Sequence, residues 1–85
     1  MNIARFFFHR KVNKTLKRLV NKHYIYNYRS KSIYGGFYKI IFKTNNKNVV
    51  INIANYDYKK FKSELLYELS RSNNEFKLEW LKIIQ

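Results

Sequence analysis

The chain has 85 residues, 46% of them hydrophobic, with no cysteine, no proline and a formal net charge of +13. A chain of this length makes one domain and leaves roughly 40% of its unfolded surface exposed after folding. The composition excludes wholesale disorder, a disulfide framework, a thiolate metal site and a thiol nucleophile, and no apolar run reaches the ~18 residues of a membrane span.

Residues 8 to 22 carry a helical pattern. Phe8, Val12, Leu16, Leu19 and Val20 fall on one stripe, while Lys11, Lys14, Lys17, Arg18 and Lys22 cover the rest. Three readings fit: a core-facing stripe with a solvated basic face, a basic face set against phosphates, and a membrane-surface helix. Phe6 and Phe7 lie off the stripe, so the segment before Phe8 is either non-helical or plugged into a neighbour. The first nineteen residues are acid-free and carry Arg5, Arg10 and Arg18, as a mitochondrial transit peptide would. A protein made where it works, rather than imported, is the expectation.

Residues 24 to 28 alternate and are aromatic, which predicts a short strand. Residues 37 to 44 and 49 to 55 flank Asn45-Asn46-Lys47-Asn48 and predict a β-hairpin with a four-residue turn. Tyr38, Ile40 and Phe42 on one strand, with Val49, Ile51 and Ile53 on the next, mark the core side. Asp57 then caps a helix with Tyr58, Phe61, Leu65 and Leu69 on one stripe. Ser72-Asn73-Asn74 break it, and Phe76, Trp80 and Ile83 mark a last short helix. The order predicts an α+β fold: a small antiparallel three-stranded sheet with an N-terminal basic helix and two C-terminal helices, in one layer on the sheet.

Charge divides the domain. Residues 1–56 hold 8 Lys and 4 Arg and no acid, for +12, whereas residues 57–85 hold 6 basic and 5 acidic residues, for +1. A polycationic first half repels itself, which points to neutralisation by a polyanion. Asn, Lys, Ile, Tyr and Phe make up 48 of the 85 residues, the signature of an AT-rich genome. That bias accounts for part of the lysine excess, but not for the loss of every acid from 56 residues.

Catalytic groups are scarce. Asp57 reads as a helix cap, and His9 and His23 stand among basic residues with no carboxylate to orient either ring. Gly35-Gly36 has neither Walker nor dinucleotide spacing, so no enzyme, cofactor or small-molecule substrate is expected. Basic residues interleaved with aromatics are abundant instead: Tyr24, Tyr26, Tyr28, Arg29, Lys31, Tyr34, Tyr38 and Lys39 offer phosphate contacts and planar faces. The alternative is an aromatic sheet core with lysines at its rim. Arg29-Ser30-Lys31-Ser32 supplies four donors in succession, and Gly35-Gly36 would let the backbone approach phosphates. The candidate RNA-binding set is Arg10, Lys11, Lys14, Lys17, Arg18, Tyr28, Arg29, Ser30, Lys31, Ser32, Gly35, Gly36, Lys39, Lys47 and Arg71.

Over residues 10 to 71 the chain resembles the S-nineteen family of small-subunit ribosomal proteins. Tyr28 takes an aromatic place before the basic stretch Arg29-Ser30-Lys31-Ser32-Ile33. Phe37 to Thr44 is similar to the family's first apolar strand, Asn45-Asn46-Lys47 to its hairpin, and Val50-Ile51-Asn52-Ile53 to its return strand. Lys60-Phe61 with Ser63-Glu64-Leu65 is similar to the Lys-Leu-Gly-Glu-Phe segment, Ser70-Arg71 to a Thr-Arg pair, and Val12 to Val20 to the upstream helix. The family's proline after the basic stretch and its Gly-His before Lys60 are missing here. The resemblance implies a structural protein of the small-subunit head that binds ribosomal RNA beside an S-thirteen-type protein, with no catalysis and no cofactor. With the codon bias, it implies an organelle-encoded mitochondrial protein or one in the cytoplasm of an AT-rich bacterium. The alternatives are a phage or viral nucleic-acid-binding or inhibitor protein, and a lineage-specific structural subunit of an organellar complex.

Overall fold

A computed structural model describes residues 3–45, 47–72, 75 and 77–84. Six elements follow in chain order: α1 (Ile3–Asn21), β1 (Tyr26–Ile33), β2 (Phe37–Lys43), β3 (Asn48–Ala54), α2 (Tyr58–Ser72) and α3 (Lys77–Ile84). The strands form an antiparallel sheet in the order β1-β2-β3, so the α+β architecture expected from the sequence is the one found. No helix among the described residues is long and apolar enough to cross a membrane.

One face of the sheet is apolar because side chains alternate along a strand. Tyr38, Ile40 and Phe42 of β2 stand directly opposite Ile53, Ile51 and Val49 of β3, and all six are buried. The helices cover this face. Phe8, Val12, Leu16 and Leu19 of α1, Phe61, Leu65 and Leu69 of α2, and Trp80 and Ile84 of α3 join the strands in one hydrophobic cluster. Phe8 is a hub of ring contacts, edge-on to Tyr38 at 4.9 Å and to Phe61 at 6.2 Å. Such geometry adds to burial through the ring quadrupoles.

Local chemistry sets the boundaries. α1 ends in a Schellman motif: Tyr24 N–H donates to the Leu19 carbonyl (3.0 Å) and His23 N–H to the Val20 carbonyl (2.9 Å), with His23 left-handed at φ 64°. His23 therefore serves the backbone. α2 begins as expected, the Asp57 carboxylate accepting the Lys60 N–H at 3.1 Å. Just before it, Asn55 and Tyr56 are both left-handed, and Asn55 N–H donates to the Gly36 carbonyl at 3.2 Å, tying two turns together.

Several expectations are corrected. The first helix starts at Ile3 rather than residue 8, so Phe6 and Phe7 are helical, and both are about half exposed. The first strand is not residues 24–28 but Tyr26–Ile33, running straight through the basic stretch. Its alternation of Arg or Lys with Ser suits an edge strand that buries no side chain fully, so the apolar signal is weak there. The second hairpin pairs Lys43 with Asn48, which puts its turn at residues 44–47, one position early. Thr44 is the reason: it is 4% exposed, and its N–H donates to the Lys47 carbonyl at 2.9 Å. In α3 the residue most buried beside Trp80 is Ile84, not Ile83. Asn46, Asn73, Asn74 and Phe76 lie outside the described residues.

Candidate nucleic-acid interface

Basic side chains occupy two surfaces on opposite sides of the core. The first is the outer side of α1. Arg10, Lys11, Lys14, Lys17 and Arg18 are all exposed, because the 3.6-residue period that buries Phe8, Val12 and Leu16 turns these positions outward. Phe7, Arg10, Lys11, Asn13, Lys14 and Lys17 line one shallow depression there. Lys11 is partly committed elsewhere: its Nζ stands 5.1 Å from the Tyr58 ring centre, and Lys62 stands 5.3 Å from the same ring.

The second surface is the sheet face away from the helices. Arg29 and Lys31 of β1 pair with Ile41 and Lys39 of β2, and Tyr26 pairs with Lys43. These residues share a face with Phe37, Val50 and Asn52. Phe37 is 43% exposed, Val50 53% and Tyr26 39%, on a surface that none of the described helices covers. Tyr26 reaches this side across a bulge at Asn27 (φ 55°), and its hydroxyl donates to the Thr44 carbonyl at 3.0 Å. Lys43 Nζ lies 6.0 Å from the Tyr26 ring centre. Lys31 and Lys39 are direct cross-strand partners, an arrangement that like charges make unfavourable. Residues 26–54 contain no acid to relieve it.

The strand separates what the sequence placed together. Ser30 and Ser32 alternate with Arg29 and Lys31, so the serines face α1 and the cations face away from it. Ser30 Oγ donates to Asn13 Oδ1 at 3.2 Å. Asn13 Nδ2 in turn donates to His9 Nε2 at 2.8 Å, and His9 Nδ1 meets the Tyr38 hydroxyl. This ring of polar groups fastens α1 to the edge strand, and burial pushes the Tyr38 phenol above its usual pKa while the Ser30 hydrogen bond partly opposes the shift. His9 is thus a latch between layers. Arg5, Phe6, His9, Ser30, Lys31, Ser32 and Tyr38 line the groove beside it.

Other candidates are accounted for within the molecule. Tyr38 is 1% exposed, and Tyr24 and Tyr28 lie half-buried against the core, which leaves Tyr26 and Tyr34 as the outward rings of that stretch. Lys47 and Arg71 converge on one carboxylate, Glu68, at 3.1 and 3.6 Å. Lys47 thereby ties the far hairpin to α2 and Arg71 pairs within its own helix, although such partly exposed pairs contribute little stability. The sequence signal for this was available, since Glu68 lies three residues before Arg71 on one helix face.

Gly35 and Gly36 form the β1–β2 turn with Tyr34, whose side chain is fully exposed. Both have positive φ, 87° and 78°, and a Cβ on Gly36 would meet nothing within 4 Å. Backbone conformation alone therefore calls for the two glycines. Among the described residues no cluster of His, Asp or Glu could hold a metal ion.

At the far end of the helix layer, Tyr24 stacks edge-on to Trp80 at 5.9 Å. Burial, and then hydrogen bonding to Glu79 and its charge, push the Tyr24 phenol up to about 12. That contact pins α3 beside the start of β1. Compared with known proteins, the chain matches no family model, no curated protein and no solved structure.

Proposed function

We propose that the chain is a structural, RNA-binding protein of the small ribosomal subunit, of the S-nineteen type, seated on ribosomal RNA in the subunit head. The observation that carries this reading is a segment of twelve cations and no acid, most of them exposed, around a core of sixteen buried hydrophobic side chains among the described residues. Self-repulsion on that scale is relieved by phosphate. The resemblance supplies the ribosomal part of this reading, over an upstream helix, a basic stretch and a hairpin of two strands, and the two C-terminal helices have no counterpart in it. The codon bias fits translation in a mitochondrion or an AT-rich bacterium, beside an S-thirteen-type neighbour.

Its role is mechanical. Cations on α1 and on the sheet neutralise phosphates, and the balanced α2–α3 side offers a surface for neighbouring proteins. The test is sedimentation of the tagged chain from its native cell. Recovery in the small-subunit peak that persists through a moderate salt wash is expected, and recovery only in free fractions would refute the ribosomal assignment. A phage or viral nucleic-acid-binding protein would instead travel with DNA or with a host target.

A further inference from the structure

The sheet has two faces, and the described helices cover only one. On the other, Arg29, Lys31, Lys39 and Lys43 stand together over strands that contain no acid. We propose that this open face docks an unpaired RNA segment, so that the molecule joins two separate RNA segments, the second lying along the outer side of α1. The inference rests on RNA being the partner and names how many segments it holds and of what kind.

Charge selects a polyanion. Lys31 and Lys39 oppose each other directly, and Lys39 is half-buried on the central strand, where water screens it less. A phosphate between them converts a repulsion into two attractions. A second copy of this chain docking through the same face would instead bring two sets of four cations together. Ring placement selects unpaired nucleotides. Tyr26 and Phe37 are exposed at opposite ends of the face, level with Lys43 and with Ala54. Six residues of β2 separate those two levels, about 20 Å at strand rise. A duplex hides its base faces and uses only phosphate contacts, whereas splayed bases stack on such rings.

Geometry sets most of the two surfaces apart, although Lys31 stands at the sheet edge and also lines the groove beside Arg5 and His9 of α1. The outer side of α1 lies across the buried cluster from the open sheet face, and even the shortest extent of the molecule is 19 Å. A phosphate on Lys14 or Lys17 cannot also lie on Lys31. One strand of RNA on each side is held apart by the core.

Two RNAs test this: a biotin-tagged RNA hairpin on streptavidin beads and a fluorescent oligouridine. The intact protein is expected to carry oligouridine onto hairpin-loaded beads. Lys31→Thr with Lys39→Thr should keep hairpin binding but weaken oligouridine binding, lowering the magnitude of its log–log salt slope by about 1.4, or ~0.7 for each lost contact. Lys14→Ala with Lys17→Ala should do the reverse. The threonine variant removes a repulsion, so it should melt at a higher temperature than the parent, which separates lost binding from lost folding. Competition of the two RNAs for one surface, or an oligouridine slope unmoved by the threonine variant, overturns the inference and leaves RNA as the partner. If the intact protein binds neither RNA, the RNA reading falls and the inference with it. If the variant loses polyglutamate binding as fully as oligouridine, and Tyr26→Leu with Phe37→Leu changes nothing, the face is a general anion surface. That outcome overturns its assignment to unpaired RNA.

Discussion

The two edge strands of one small sheet are built to opposite ends. β3 alternates without error: Val49, Ile51 and Ile53 are buried, and Asn48, Val50, Asn52 and Ala54 are out. β1 buries no side chain fully, turns serines inward and cations outward, and carries a bulge at its start. Hydrophobic burial fixes β3, whereas the ladder to β2 and the polar latch to α1 hold β1. One edge serves the core, and the other, on the proposed reading, serves RNA.

The sharpest way to break this comparison is to cut both strands equally. Ile53→Ala should cost about 3 kcal/mol, since the site is fully buried between sheet and helices. Ser32→Ala on β1 should stay within ~0.5 kcal/mol. Denaturant midpoints of the two variants check the contrast, and equal losses would mean that β1 belongs to the core after all.

The next effect lies at the turn where β1 ends. Gly36→Val should cost about 2 kcal/mol because a β-branched residue is forced to φ 78°, although its side chain would meet no neighbour. Gly36→Asn should cost much less, because asparagine tolerates the left-handed region. If valine and asparagine destabilise alike in thermal melts, the cost is not conformational.

The smallest effect sharpens the other end of β1. The Tyr24 phenol is neutral in the folded protein up to about 12, whereas the unfolded chain ionises near 10.0. Unfolding therefore releases a proton in that window, so this stability is fully present below pH 10 and is lost as pH rises toward 12. Fluorescence of Trp80, the one tryptophan in the sequence, reports the melt. Tyr24→Phe should flatten the dependence over this range.

The parts of the fold governed by apolar periodicity were legible in the sequence. The stripes of α1 and α2, the inward sides of β2 and β3 and the Asp57 cap all read through, because burial dictates them residue by residue. β1 did not, since its inward positions are serines and its order comes from Asn13 and His9 across the chain. The candidate site was legible as charge but not as geometry. A run such as Arg29-Ser30-Lys31-Ser32 looks like one cluster until the two-residue period of a strand divides it. Lys47 looked free because only folding brings Glu68 to it, whereas the Glu68–Arg71 pair was open to reading from its i,i+3 spacing.

The meander and the helix layer also set the order in which the chain can assemble. The two strand pairings close across loops of three and four residues, so they form through local encounters as soon as those residues exist. The contact of Tyr24 with Trp80 spans most of the remaining length and must wait for α3 to be synthesised. During translation the acid-free segment, α1 included, is therefore complete before α2 and α3, which finish covering its sheet, and before any of the five carboxylates that offset its charge. A nascent chain in that state is a half-covered polycation, and on the proposed reading the RNA around it is what neutralises it first.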